Sequence, residues 1–270
     1  MKPGALQRMD KSGRMYTRQE ILGKTLQGLL MSMRGISRAA IERLIARFGY
    51  ELKTTGSPPC GYEGFLSRMA AGGVQPRTVF DIGVGHGTPW LYEAFPRAHF
   101  VLVEPQGEFE PDLREICGRI DAEYHLVGVG SKEQYLPIYR LMSSPTGSSF
   151  LPPNADTEQR WGASEKSGEL HVVPLDTWSG LPGPFFVKID TEGFELEVLR
   201  GAVKVLEKTE VVLMEVAIAK RQEQEPDLIE IGAFMKENGF RLIDFPVLTQ
   251  QSRGGPLLYV DVAFARSAEL

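Results

Sequence analysis

The pattern of apolar and polar positions changes character along the chain. Up to about residue 50 the apolar residues recur at helical spacing. Ile41, Leu44, Ile45 and Phe48 fall on one face, Ser37 stands where an N-cap belongs, and Gly49 can end the helix. Residues 53–61, KTTGSPPCG, are rich in breakers and predict a linker. From Thr78 onward, short apolar runs alternate with helical patterns. TVFDIG, HFVLVEP, YHLVGVG, FFVKID and EVVLMEV are continuous runs of the kind that strands show when both faces are buried. PWLYEAF, the stretch 108–118 and FELEVLRGAVKVLEK read as the helices between them. This alternation predicts βαβ units and an α/β fold with a mostly parallel sheet. The ending is different: a helix over 227–238, a strand GFRLIDF and a last strand LLYVDVAFAR predict a terminal hairpin. The interval 131–175 breaks the rhythm with YLPIYRL, PTGSSFLPPN and HVVPL, and predicts an insertion that carries extra strands and a mobile loop. The expected organisation is a helical arm and linker over 1–60, then an α/β domain over 75–270 with 131–175 as an insertion or lid.

Composition narrows the function classes. The chain's 270 residues are enough for a full core, and 42% hydrophobic with 24% charged residues is ordinary for a soluble globular protein. No run of some 18 apolar residues predicts a membrane span, and the N-terminus MKPGALQRMDKSGRMYTRQE lacks the apolar block of a secretory signal. Two cysteines, Cys60 and Cys117, cannot build a disulfide framework or a cysteine-rich zinc site, so a reducing cytoplasm is the expected compartment. A net charge of −5 argues against nucleic acid as the main partner. The charge is uneven: residues 1–50 hold ten Lys and Arg against three Asp and Glu, a net of +7, which leaves −12 for residues 51–270. A basic arm can touch phosphates or an anionic surface, but the solvated face of helices is the simpler expectation. The arm is also a candidate contact for a homodimer.

In an open α/β sheet, ligands bind beyond the carboxyl ends of the strands. The first apolar run ends in Asp81-Ile82-Gly83-Val84-Gly85-His86-Gly87-Thr88-Pro89, where alternate glycines let the backbone approach a ligand closely. By itself this is equally a tight strand-to-helix turn. The second run ends in Glu104-Pro105, 21 residues after Gly83. A carboxylate at that point can accept both hydroxyls of a ribose. A pyrophosphate cofactor favours Gly-x-Gly-x-x-Gly, but the third glycine position here holds Thr88. Asp81 beside the loop is expected to repel a pyrophosphate and attract a sulfonium, which favours S-adenosylmethionine over NAD. The fourth run ends in Asp190-Thr191-Glu192 and the fifth in Met214-Glu215, so Asp190, Glu192 and Glu215 are expected to converge. Crowded carboxylates serve as a base or as oxygen ligands for Mg²⁺. No ordered ligand spacing is present, which favours the metal-free alternative. Glu192 and Glu195 also suit the start of the next helix through its dipole. The histidines form no metal pattern, and only His86, inside the glycine loop, is placed to face a cofactor. No Ser-His-Asp spacing and no P-loop lysine occur.

Taken in order, DIGVGHGTPWLYEAFP, LVEP, PLDTW, FFVKIDTEGFELEVLRGA and VVLMEV resemble the FkbM family of S-adenosylmethionine-dependent O-methyltransferases. The ending GFRLIDF…LLYVDVAFAR is similar to the family's last two strands. The most specific element is KIDTEGFELEVLRGA. The resemblance covers roughly residues 75–266. It implies a Rossmann-like sheet of seven strands in the order 3-2-1-4-5-7-6 with the last antiparallel, and methylation of hydroxyls on sugars, glycans or secondary metabolites. It also implies that Asp81, Gly83, Val84, Gly85 and His86 line the methionine end of the cofactor and that Glu104 and Pro105 border the ribose. Val129 and Gly130 would flank the adenine, and Asp190 would sit beside methyl and acceptor, with Glu192 and Glu215 assisting. His86 stands where the family often has Asn or Asp, and VGVGS supplies no acid after the third strand. Two alternatives are a nicotinamide-dependent oxidoreductase and a binding or scaffolding protein that kept the fold without turnover. Fold likeness alone does not separate these.

Overall fold

The structure, a computed structural model, describes residues 8–9, 15–16, 61–141, 144–252 and 254–266. The helix expected around Ser37 and most of the linker lie outside the described residues. The chain divides into two units, Met1–Ser57 and Pro58–Leu270. In the first, the two-residue strands Arg8–Met9 and Met15–Tyr16 pair antiparallel. The second carries the α/β fold.

Its main sheet has seven strands: β1 (Thr78–Ile82), β2 (His99–Val103), β3 (Ala122–His125), β8 (Phe185–Ile189), β9 (Thr209–Ala217), β10 (Phe240–Gln250) and β11 (Leu257–Arg266). Their spatial order is β3-β2-β1-β8-β9-β11-β10. The first five run parallel, and β11 runs antiparallel to both β9 and β10. Counted along the sheet this is 3-2-1-4-5-7-6 with the last reversed, the order that the resemblance implies. The expected terminal hairpin is β10–β11, and it returns its second strand to the inside of the sheet.

The apolar runs are strands because both faces are covered. Phe80, Ile82, Val187 and Ile189 face one core with Val198, Leu199, Ile231 and Met235. These come from α5 (Glu195–Arg200) and α7 (Leu228–Glu237). Val79, Phe100, Leu102 and Phe186 face the other core. There they meet α1 (Gly61–Ala71), α2 (Pro89–Ala94) and α3 (Glu110–Cys117). Asp227 caps α7: its side chain accepts from Ile229 and Glu230 N–H, and Glu230 accepts from the Asp227 N–H.

Three details depart from the apolar pattern. FELEVLRGAVKVLEK is two helices, α5 and α6 (Val203–Glu207). The break falls at Gly201, where a Cβ would lie 2.0 Å from the Gly130 carbonyl oxygen, so only glycine lets the two segments touch. YHLVGVG is not one strand: β3 belongs to the main sheet, while β4 (Gly128–Val129) has crossed into a second one. That second sheet is the insertion, built from β4, β5 (Gln134–Leu141), β6 (Ser144–Ser149) and β7 (Ser164–Val173) in the order β4-β7-β5-β6, with α4 (Ala155–Trp161) between β6 and β7. Finally, α1 starts ahead of residue 75. Tyr62, Phe65, Leu66 and Met69 repeat at helical spacing, and the last three are buried against the sheet.

Because Phe65 is fully buried, Phe65→Ala is expected to cost about 3–5 kcal/mol. Urea unfolding of wild type and variant measures this, and a difference under 1 kcal/mol would show that α1 is peripheral to the fold.

Candidate functional site

The strand alternation that builds the two cores also builds a polar tier. On the face toward α1 and α2, each strand turns from apolar to charged at its carboxyl end: Val79 then Asp81, Phe186 then Lys188, Leu213 then Glu215. Register aligns these residues across strands. Asp81 pairs with Lys188 in the β1–β8 ladder, and Glu215 pairs with Asp261 in the β9–β11 ladder. Above the tier lies a cavity of about 380 Å³. That volume lies within the range of small-molecule sites.

Gly83, Val84, Gly85 and His86 line one side of the cavity. Glu104 and Pro105 line it from the end of β2, and Val129 from β4. Asp190, Glu192 and Glu215 line the other side, and the insertion closes the wall with Ile138, Thr146, Ser148 and Phe150. Glu104 is almost fully buried. Its Oε2 accepts from the Gly85 N–H at 3.0 Å and its Oε1 from the Gln106 N–H at 3.0 Å. Burial pushes its pKa up, and these two backbone donors and Lys188 oppose the shift.

Two expected residues stand behind the wall. Asp81 is fully buried and does not line the cavity. Its Oδ2 accepts from the Thr88 hydroxyl at 2.8 Å and the Tyr92 hydroxyl at 3.0 Å, and its Oδ1 lies 3.1 Å from Lys188 Nζ. Its charge is therefore paired inside the core. Gly130 also lies outside the lining; its N–H bonds the Val173 carbonyl, and a Cβ there would lie 2.9 Å from Val172 and 3.0 Å from Phe194. His86 is on the cavity rim but turned to solvent, its Nδ1 2.8 Å from Asp112 Oδ2. His99, His125 and His171 each sit by a local carboxylate, at 3.0, 3.2 and 3.1 Å.

The expected convergence of Asp190, Glu192 and Glu215 is present: one carboxylate oxygen of each lies within 4.8 Å of the others. Glu192 holds φ +54, a left-handed conformation that is costly for a residue with a Cβ and that clusters at functional sites. Gly83 explains why the two sides come so close. A Cβ there would lie 1.8 Å from the Asp190 carbonyl oxygen, so its first role is to let β1 and β8 end in contact.

Four residues of the site carry no assignment in the sequence reading. Lys188 is buried and donates to the Gly83 carbonyl at 2.7 Å, with Asp190 Oδ2 at 3.6 Å. Arg221 pairs with Glu192 at 2.6 Å and Glu215 at 3.1 Å. Tyr62 stacks on Trp90 with ring centroids 4.0 Å apart, and both line the cavity. Asp261 is hydrogen-bonded to Tyr62 and also lines the cavity. The helical spacing after Gly61 and the lone acid inside LLYVDVAF were visible signals for Tyr62 and Asp261. Arg221, in an irregular loop, had none.

Burial raises several of these carboxyl pKa values: Asp261 to about 6, and Glu192 and Glu215 upward, with neighbouring carboxylates adding to both and Arg221 opposing. A carboxyl whose pKa is raised on folding binds its proton more tightly in the folded state. Asp261 therefore supports folding at low pH, and this contribution is lost as pH rises through about 6. Asp261→Asn removes the titration. Its stability relative to wild type is expected to rise by on the order of 2 kcal/mol between pH 4 and pH 7. Parallel pH profiles of unfolding free energy for the two proteins would contradict it.

Residues 81–242 match the family model described as the methyltransferase FkbM domain. Among solved structures, the chain is similar to the methyltransferase FkbM from Methylobacillus flagellatus KT, with 16% identity over 70% of this chain and a TM-score of 0.46. It spans 43% of the length of that protein. It is also similar to magnesium protoporphyrin IX methyltransferase from Synechocystis PCC 6803, with 10% identity, 76% of this chain and 78% of that one covered, and a TM-score of 0.42. Precorrin-6y C5,15-methyltransferase from Geobacter metallireducens GS-15 is 12% identical over 79% of this chain and 93% of its own, with a TM-score of 0.40. No curated protein matches the chain. With the family model spanning more than half of its length, the chain belongs to the FkbM family of methyltransferases.

Proposed function

We propose that the chain transfers a methyl group from S-adenosylmethionine to a hydroxyl of a small-molecule or glycan acceptor, without a metal ion, and that Asp190 takes the acceptor's proton. The observation that carries this reading is the arrangement around one cavity. Glu104 stands at one end and Asp190 at the other, with the glycine loop between them.

The chain's own residues fit the cofactor. Each Glu104 oxygen accepts one backbone N–H, which fixes the carboxylate and leaves further lone pairs for the two hydroxyls of a ribose. Val103, Phe109, Val127 and Val129 offer an apolar bed beside it for an adenine. The loop is poorly suited to a pyrophosphate, which needs free N–H groups at a helix start. The Gly83 N–H bonds Val103, the Gly85 N–H bonds Glu104, the Gly87 N–H bonds Val84 and the Thr88 N–H bonds the Tyr92 hydroxyl. This engagement of the loop, and not the charge of Asp81, favours S-adenosylmethionine over NAD.

S-adenosylmethionine, when bound, supplies an electrophilic methyl on a sulfonium. The protein's tasks are then to orient the acceptor, exclude water and take one proton. Asp190 is the most open carboxylate of the triplet, and its nearest cation is Lys188 at 3.6 Å. At that distance the ammonium leaves the Asp190 oxygens open to an acceptor's hydroxyl. Glu192 and Glu215 are tied to Arg221, so they serve to shape the site. Trp90, Tyr62 and the insertion shield it.

Calorimetry with S-adenosylhomocysteine and NAD, and turnover on an accepted substrate, test the assignment. S-adenosylhomocysteine is expected to bind and NAD is not. Glu104→Ala should weaken S-adenosylhomocysteine by about 1.5–3 kcal/mol, the scale of hydrogen bonds to a charged group. Asp190→Asn should keep that affinity and lower turnover by roughly 10²-fold. Tight NAD binding with no S-adenosylhomocysteine binding would overturn the reading. Near-normal turnover of Asp190→Asn would remove Asp190 from the proton step.

A further inference from the structure

We infer that Arg221 is the resident cation of the acceptor site: its guanidinium takes the place that a divalent ion would occupy among Asp190, Glu192 and Glu215. The inference deepens the metal-free reading above, and its test reads ion binding, which is independent of methyl transfer.

The triplet has the spacing to hold a cation, since its three oxygens lie within 4.8 Å of one another. Two of the three carboxylates are already paired with Arg221. Arg221 Nη1 lies 2.6 Å from Glu192 Oε2, and Nη2 lies 3.1 Å from Glu215 Oε1. Glu225 adds a third carboxylate at 3.5 Å from Nη2. The planar fork with its fixed donors suits this bridging, which a lysine ammonium copies only as a point charge. The guanidinium also lies over the Tyr259 ring, 5.4 Å from its centroid.

The position of Arg221 is secured from its backbone as well. The Arg221 carbonyl accepts from the Asn154 N–H at 2.9 Å, and the Asn154 side chain donates to the Lys220 carbonyl at 2.7 Å. Gln222 bridges to Pro153, and the Arg221 N–H bonds Glu225. The loop that carries Arg221 is thus pinned to the insertion on one side while its side chain reaches the strand ends on the other. A divalent ion entering the triplet must displace a buried, triply paired guanidinium. Arg221 is accordingly a positioning residue: it fixes Glu192 and Glu215 and leaves Asp190 free for the acceptor.

Mn²⁺ binding to the full chain, followed by the loss of the free-ion electron paramagnetic resonance signal, tests this. Wild type and Arg221→Lys are expected to take up no Mn²⁺ at this cluster. Arg221→Met should bind one Mn²⁺ at least tenfold more tightly than wild type, and Glu215→Gln added to it should abolish that binding. A merely structural arginine would give no such gain. Mn²⁺ uptake by wild type that Glu215→Gln removes would overturn the inference without any Arg221 variant. A cooperatively folded Arg221→Met that binds no more tightly than wild type would overturn it as well.

Discussion

Lys188 carries its ammonium into the sheet at the point where β1 and β8 end, and the two halves of the site meet on it. Its Nζ donates to the Gly83 carbonyl and faces Asp81 on one strand and Asp190 on the next. A buried ammonium is tolerated only with such partners, because desolvation alone costs several kcal/mol. Burial lowers its pKa, and the Asp81 and Asp190 carboxylates more than restore it. Asp81 is in turn held by Thr88, which follows the glycine loop, and by Tyr92 within α2. One cation therefore ties the loop, the start of α2 and the strand end that carries Asp190 into a single unit. Binding pockets need this kind of support from behind, since a first layer of residues without it is loose.

The same principle recurs one strand further along. Glu192, Glu215 and Glu225 face one guanidinium, as Asp81 and Asp190 face one ammonium. Carboxylates outnumber cations around the cavity, so burial and mutual repulsion raise several carboxyl pKa values at once. Such crowding is unfavourable for stability and marks a site built for function. The strained φ of Glu192 points the same way.

How much was legible in the sequence follows from what repeats and what does not. The strand runs, the helices between them and the final hairpin are written in periodicity, and the order of the sheet came with the family resemblance. Glu104, Asp190, Glu192 and Glu215 were found because the end of a parallel strand is a predictable place. Asp81 shares a face with Lys188 and Glu215 yet stays out of the cavity lining, because Thr88, Tyr92 and Lys188 enclose its carboxylate. Arg221 and the Tyr62–Asp261 contact depend on meetings between distant segments, which no local pattern encodes.

The Lys188 charge network, and not the glycine loop alone, is expected to shape the cavity for its cofactor. Calorimetric affinity for S-adenosylhomocysteine in the double variant Asp81→Asn/Lys188→Met tests it most directly. Removing both charges together avoids leaving one of the Asp81–Lys188 pair buried without the other, so the fold should persist and unfold cooperatively. At least a tenfold loss of affinity is expected, because the Gly83 carbonyl and Asp190 lose their common cation. An affinity within twofold of wild type would contradict it.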